Sequence, residues 1–255
     1  MNRDRLVAAL DREMDLAPAD RFRDDSHNGL QVANRSGRVT RVALGVDATL
    51  PFFKRAVAAG ADLAIVHHGL SWGDSLRRIT GLNWRLLDTL FRHDLALWAC
   101  HLPLDAHPRL GNNARLAAAL GLRRQKPFAM YHGVPIGVQG VLPRAVPRAA
   151  FYAQVKRVVS PQIRTLDFGA GRIRSVGIVS GGAPGQVADA VAARLDVHLT
   201  GESNLSARNL AEQEGINVVF AGHYATERFG VCALGAWIRR RFRLPAAFID
   251  LSIPY

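Results

Sequence analysis

Short apolar segments alternate with segments of helical periodicity, and this alternation constrains the fold more than any other feature of the chain. Apolar runs at 41–49, 61–69 and 95–102 each have the length of a buried strand. Helical spacing follows at 83–94, and Pro51 stands where a helix prefers its first residue. Strands separated by helices are typical of βαβ units, so the sequence predicts an α/β fold with mostly parallel sheets.

The periodicity lapses at 123–133, and we predict a domain boundary there. We expect a first α/β domain over 1–125 and a second α/β stretch over 126–255, whose final part (about 216–255) packs back on the first domain. Strands are predicted in 133–142, 172–182, 197–202 and 246–253, helices in 147–159 and 184–195, and a strand followed by a long helix in 217–242.

The charge balance allows two classes of anionic partner. The chain has 33 basic and 21 acidic residues and a net charge of +12. A nucleic acid and a small anionic or nucleotide-like ligand both fit this charge. Basic residues are scattered, only three of them are lysine, and we find no zinc-finger spacing, recognition helix or aromatic RNP-type motif. An arginine-rich composition therefore explains the charge as well as nucleic-acid binding does.

The apolar segments and cysteines predict a cytoplasmic protein. No apolar run approaches the roughly 20 residues that span a bilayer. Cys100 and Cys232 each lie in an apolar stretch, so we expect two reduced thiols in the core.

Adjacent histidines end one of the predicted strands. His67 and His68 are followed by Gly69, where a bend of the chain is inexpensive. Because neighbouring side chains on a strand point to opposite faces, both imidazoles reach one site only where the strand ends. The alternative is one buried and one exposed histidine without a shared ligand.

Two further segments carry ligand-type side chains after predicted strands. His101, Asp105 and His107 lie within seven residues, although a turn with an Asx hydrogen bond also explains this segment. His223 and Glu227 are spaced i, i+4 and share one face of a helix. A first-turn glutamate also complements the helix dipole, which explains Glu227 but not His223.

Together these segments predict a metal centre with two ions. Five ligands are more than a tetrahedral zinc site uses and about what a carboxylate-bridged pair needs. The mixed donor set suits zinc, manganese or iron. The predicted ligands are His67, His68, Asp105, His223 and Glu227.

Other residues are weaker candidates for catalysis or substrate binding. His101 orients a ligand or transfers a proton, and Glu202 acts as a general base or is a solvated loop carboxylate. Ser180, Gly181 and Gly182 lie between a predicted strand and helix, where N–H groups bind phosphate, although such a turn often has no ligand.

Five motifs in this order resemble one known family. They are HNGLQV (27–32), VHHG (66–69), HLPLDAHPRLGNNA (101–114), TGE (200–202) and GHYATERFG (222–230). The chain resembles the dinuclear metal centre proteins called GTP cyclohydrolase I type 2 homologues. The resemblance implies two linked α/β domains with a metal cleft, metal ligands at the same five positions, and a homohexameric ring.

The resemblance also implies an activity. In GTP ring opening, metal-bound water attacks the purine C8 and formate leaves. More broadly, we expect a metal-dependent hydrolase of a nucleotide-like or phosphorylated small molecule. The alternative is a non-catalytic metal-binding scaffold that recruits protein or nucleic-acid partners.

Overall fold

A computed structural model describes residues 1–16 and 21–254 of the chain. These residues form two compact units. The first unit contains Met1–Leu104 and Val231–Ser252, and the second contains Asp105–Gly230 and residues 253–254.

The units divide the chain differently from the boundary we predicted at 125. The division lies between Leu104 and Asp105, so Asp105 belongs to the second unit rather than the first. Of the C-terminal part, Val231–Ser252 belongs to the first unit because its strand pairs with that unit's sheet. His223 and Glu227 belong to the second unit.

Strands and helices alternate over most of the chain, as the sequence predicts. The strands are β1 (Gly29–Val32), β2 (Val42–Asp47), β3 (Leu63–His68), β4 (Ala96–Ala99), β5 (Arg123–Tyr131), β6 (Val134–Pro147), β7 (Arg164–Asp167), β8 (Arg172–Ile178), β9 (Val197–Thr200), β10 (Asn217–Phe220) and β11 (Ala246–Phe248). The helices are α1 (Arg3–Glu13), α2 (Leu50–Ala58), α3 (Gly81–Arg92), α4 (Leu102–Ala106), α5 (Asn112–Ala119), α6 (Arg148–Val158), α7 (Val187–Ala192), α8 (Leu205–Glu214) and α9 (His223–Phe242).

The first unit is built on a five-stranded sheet in the order β1-β4-β3-β2-β11. Strands β4, β3, β2 and β11 run parallel, and β1 pairs antiparallel with β4 at the edge. Thr49 caps α2, whose Phe52, Phe53 and Ala56 are fully buried against the sheet's apolar residues. This burial supplies the core that holds the strand ends in place.

The second unit is built on a six-stranded sheet in the order β5-β6-β8-β9-β10-β7. Its centre, β8-β9-β10, is parallel, and antiparallel strands flank it on both sides. Helix α6 buries Phe151 and Val155 in a core with Ile173, Val176 and Leu199. The prediction of an α/β fold with two sheets is confirmed.

The lapse of periodicity at 123–133 is a strand rather than a linker. Strand β5 lies at the edge of the second sheet, and most of its residues are exposed on both faces. A bulge between Arg123 and Lys126 also interrupts its pairing with β6. An exposed, bulged edge strand has no two-residue alternation of apolar residues, which is why the pattern failed here.

Two expectations about burial have different outcomes. Cys100 is buried, but Cys232 is exposed on α9, so the prediction of two core thiols is wrong for Cys232. Among the described residues, no helix is long and apolar enough to cross a membrane.

Because His198 is buried, we expect the free energy of unfolding to fall in mild acid. Burial within β9 lowers the pKa of His198 from 6.5 to about 4. Between these values the unfolded chain binds a proton that the folded chain does not, so stability falls as pH drops from 6.5 towards 4, by up to about 3 kcal/mol. We expect His198→Gln to flatten the pH dependence of urea unfolding in this range. His93→Gln, at an exposed helix end, should leave the slope as in the wild type; equal slopes in all three proteins would refute the assignment.

Candidate metal centre

Three imidazoles come together at the carboxyl ends of two parallel strands in the first unit. Strand β3 ends at His68, and the rings of His67 and His68 lie with their centroids 4.7 Å apart. His101 follows β4, the neighbouring parallel strand. One ring nitrogen of each of the three lies within 4.8 Å of those of the other two. The strand end therefore does bring the adjacent histidines to one place, and it adds His101.

An oxygen atom holds the Nδ1 atom of each imidazole in this group. The Nδ1 partners are the Cys100 carbonyl for His67 (2.9 Å), Asp47 for His68 (2.7 Å) and Asp24 for His101 (2.8 Å). Because a carbonyl only accepts, Nδ1 of His67 carries the proton and Nε2 carries the lone pair. Such second contacts fix the tautomer and ring orientation of metal-binding histidines.

Asp24 fixes His101 directly, through the next residue of the chain and through Asn28. One carboxylate oxygen accepts from the His101 ring, the other accepts from Leu102 N (3.2 Å), and Asn28, itself bonded to Asp24, accepts from His101 N (2.7 Å). Burial raises the pKa of Asp24, but its hydrogen bonds, led by that from His101, outweigh this and hold the pKa below its ordinary value. Asp24 is therefore ionised beside the imidazole.

The glycine after the two histidines provides space. Gly69 is outside the left-handed region, but a Cβ there would overlap the side-chain amide of Gln31. That amide accepts from Leu70 N (2.7 Å) and Ser71 N (3.1 Å) and donates to the His27 carbonyl. Gly69 thus admits a side chain that fixes the loop after His68, rather than the bend we expected from its flexibility.

The second unit holds two carboxylates and an imidazole. Asp105 and Glu227 are 6% and 3% exposed, and one oxygen of each lies within 4.8 Å of the other. His223 and Glu227 face each other on the first turn of α9, with Nε2 to Oε1 at 3.1 Å. Two buried carboxylates this close repel each other unless a cation lies between or beside them.

Asparagine and serine side chains fix Asp105. Its Oδ1 accepts from Asn112 Nδ2 (2.8 Å) and from Ser180 Oγ (2.9 Å). The Oδ1 atom of Asn112 accepts from Gly230 N (2.6 Å), and a Cβ at Gly230 would overlap the Asn112 amide. Asn112 therefore links the α9 backbone to the carboxylate.

Glu202 positions His223. Its Oε1 lies 2.6 Å from His223 Nδ1, the ring atom opposite the one that faces Glu227. Burial lowers the pKa of His223, but the hydrogen bonds and charges of Glu227 and Glu202 outweigh this and raise the pKa to about 9. The protonated imidazole thus supplies a positive charge between the two glutamates.

The segment that we predicted to bind phosphate instead supports the carboxylates. Ser180 N donates to Asn113 Oδ1 (2.7 Å), and Gly181 N donates to Thr226 Oγ1 (3.0 Å). A Cβ at Gly181 would overlap Glu227, and one at Gly182 would lie 3.1 Å from a Glu202 oxygen. The N–H groups of Ser180 and Gly181 are occupied within the protein, so the phosphate prediction fails for them.

A cavity of about 640 Å³ adjoins His223 and Glu202 within the second unit. Gln162, Arg164 and Phe220 also line it, and Arg164 on β7 pairs directly with Phe220 on β10. In the described part of the chain, Arg164 forms no ion pair with a carboxylate. The cavity therefore combines a cation, an aromatic ring and the His223–Glu202 pair.

The donor atoms suit a divalent metal ion in both units. Imidazoles held by oxygen acceptors and buried carboxylates are the side chains from which zinc, manganese and ferrous iron take their ligands. The sequence patterns identified these donors but missed the residues that orient them. Those residues are Asp24, Asn28, Gln31, Asp47, Asn112, Asn113 and Thr226.

Comparisons with known proteins establish the class. The chain belongs to the Duf34/NIF3 (NGG1p interacting factor 3) family, whose model matches residues 1–253. The predicted family membership is confirmed, because curated relatives of this chain carry the name GTP cyclohydrolase 1 type 2 homolog. One of them, from Deinococcus radiodurans, is 41% identical over 229 residues, or 90% of this chain and 86% of the relative.

Solved structures of two similar proteins share the fold over their full length. Protein ybgI, of unknown function, is 32% identical with a TM-score of 0.93, and both chains are covered completely. TTHA1606 from Thermus thermophilus is 36% identical with a TM-score of 0.89, again with complete coverage of both chains.

Asn112 should be important for stability because its amide serves two buried groups. Replacement by alanine leaves the Gly230 N–H without its acceptor and Asp105 without one donor. We expect Asn112→Ala to lower the free energy of unfolding by about 1–3 kcal/mol. Asn209→Ala, on the exposed face of α8, should change it by less than about 0.5 kcal/mol. Chemical denaturation of both variants measures this, and equal effects would contradict the role given to Asn112.

Proposed function

We propose that the protein is a dinuclear metal-dependent hydrolase of a nucleotide-like or phosphorylated small molecule. His67 and His68 in the first unit and Asp105, His223 and Glu227 in the second would bind two divalent metal ions, zinc, manganese or iron. GTP is one candidate substrate, because relatives are named as homologues of GTP cyclohydrolase 1 type 2.

One observation carries the proposal: hydrogen bonds to neighbouring groups orient several of the ligand-type side chains. The Nδ1 atoms of His67 and His68 bond to oxygen acceptors. In the second unit, Asn112 and Ser180 hold one oxygen of Asp105. Such preorganisation lowers the cost of gathering several ligands around an ion.

Metal ions at these ligands would lower the pKa of bound water towards neutrality and so supply a nucleophile. Glu202 has two roles in the proposal. Its Oε1 orients His223, and its carboxylate, which lines the cavity, would accept the proton that the reaction releases. His101 would orient a metal ligand or transfer a proton, since Asp24 fixes its ring.

Arg164 would bind the anionic part of the substrate in the 640 Å³ cavity. Phe220 offers an apolar surface beside it, and His223 and Glu202 lie in the same lining. A phosphorylated molecule placed in this way directs its charged end to the guanidinium and its reacting end to the metal ligands.

Arg164→Gln should therefore weaken substrate binding without affecting the metals. Loss of a charge-assisted hydrogen bond predicts about a tenfold rise in KM for GTP or another active substrate, or in the inhibition constant of inorganic phosphate. Metal content should be unchanged. Arg157→Gln, on exposed α6, is the matched control, and an equal rise in both variants would contradict a specific role for Arg164.

Replacement of Glu227 by glutamine tests the metal centre itself through metal content and turnover. We expect anaerobically purified wild type to contain about two metal ions per chain, and Glu227→Gln to retain fewer and to lose turnover of nucleotides and phosphoesters. Glu212→Gln, which removes an exposed ion pair with Arg208, should keep both the wild-type metal content and the wild-type turnover. Circular dichroism separates loss of metal from loss of fold.

Two outcomes would change the proposal. Two metal ions without turnover of any substrate would favour the non-catalytic scaffold for protein or nucleic-acid partners. A wild type that binds neither zinc, manganese nor iron would refute the metal centre. A homohexameric ring remains a prediction from the family resemblance, and light scattering of the purified protein tests it.

A further inference from the structure

A second cavity, of about 430 Å³, lies elsewhere in the second unit and is surrounded by positive charge. Its lining includes Arg124, Lys126 and Arg194, and none of the described residues that line it is acidic. Within residues 1–16 and 21–254, none of these three cations forms an ion pair. Its volume is within the range of small-molecule sites.

The strand pairing explains how Arg124 reaches the cavity. From the pair Arg123–Val141 to the pair Lys126–Gln139, strand β5 advances by three residues and strand β6 by two. The extra residue forms a bulge, and Arg124 has a left-handed backbone, with φ of 53°. Glycine or asparagine is usual at such a position, so an arginine there is less favourable for folding.

Arg194 reaches the same cavity from another left-handed position. It follows the C-cap residue Ala193 of α7, and its φ is 52°. Leu195 N bonds to Ala190 O (3.0 Å), which closes a helix end that commonly carries glycine at the position of Arg194. Two backbone positions that favour glycine thus both carry arginine and both face one cavity.

The neutral part of the lining is fixed by the protein's own contacts. The Ser175 hydroxyl donates to Asp196 Oδ2 (2.9 Å), and that oxygen also accepts from Arg174 N and Ser175 N, both at 2.8 Å. A Cβ at Gly140 would lie 3.0 Å from the Arg123 carbonyl oxygen, so Gly140 permits the close approach of β5. Gln139 adds a side-chain amide to the lining, and the three cationic side chains are its charged groups.

We propose that this cavity binds the diphosphate or polyphosphate group of a small molecule, at a site separate from the metal centre. Three cations match the charge of a diphosphate better than that of a single carboxylate. Two guanidinium groups can each present paired N–H donors to phosphate oxygens. The site does not depend on the proposed hydrolase function, because its lining contains neither a proposed metal ligand nor Glu202.

Calorimetric titration of the full chain with inorganic pyrophosphate at low ionic strength tests the site. The informative variants are Arg124→Gly and Arg194→Gly, because glycine keeps the left-handed backbone while the charge is removed. Each should raise the Kd for pyrophosphate about tenfold, with no fall in Tm. Arg243→Gly is the matched control, since Arg243 is exposed, has φ of 54° and lies outside the cavity.

Binding that is unchanged in Arg124→Gly and Arg194→Gly would overturn the proposal. So would an equal loss in Arg243→Gly, which would show a general effect of net charge. Competition with a short DNA duplex distinguishes the remaining possibility. A duplex that displaces pyrophosphate, and that itself binds less well to the two cavity variants, would assign the surface to nucleic acid instead.

Discussion

The close approach of two buried carboxylates is the constraint on which the second unit's site depends. Asp105 and Glu227 have oxygens within 4.8 Å of each other. At this distance, unit charges repel by about 3–4 kcal/mol for an effective dielectric constant of 20. The surrounding donors reduce this cost: Asn112 and Ser180 donate to Asp105, and a protonated His223 faces Glu227. A divalent ion would replace the single charge of His223 with a stronger one and allow that imidazole to act as a ligand.

In the first unit, carboxylates hydrogen-bond to the imidazole rings instead of adding a ligand-type group to the three histidines. Asp47 and Asp24 each bond to the Nδ1 of one histidine, so negative charge makes the ring a stronger ligand without occupying the cluster. The first unit thus presents nitrogen donors, and the second presents mostly oxygen donors. Nitrogen and oxygen donors both suit borderline metals, which explains why residue types alone do not select one metal.

The positions of the donor-type side chains follow from the sequence because strands and helices are local. The β3 run ends at His68 and α9 begins at His223, so both positions follow from short patterns. The residues that orient the donors could not be found in this way, since Asp24 and His101 are 77 positions apart and Asn112 and Gly230 are 118 apart. Such contacts arise from strand order, which apolar periodicity does not encode. The edge strand β5 was missed for a related reason, because exposure on both faces removes the alternation that identifies a strand.

The positions of the basic residues in the structure are more informative than the net charge of the chain. A net charge of +12 permits many explanations, and most arginines lie on exposed helices and strands. At Arg124 and Arg194 a left-handed backbone makes arginine a less favourable residue than glycine. Among the described residues, Arg23 and Arg243 have the same backbone, so it is the shared cavity that distinguishes Arg124 and Arg194. Strain of this kind persists where the surrounding structure, or a ligand, makes the side chain useful.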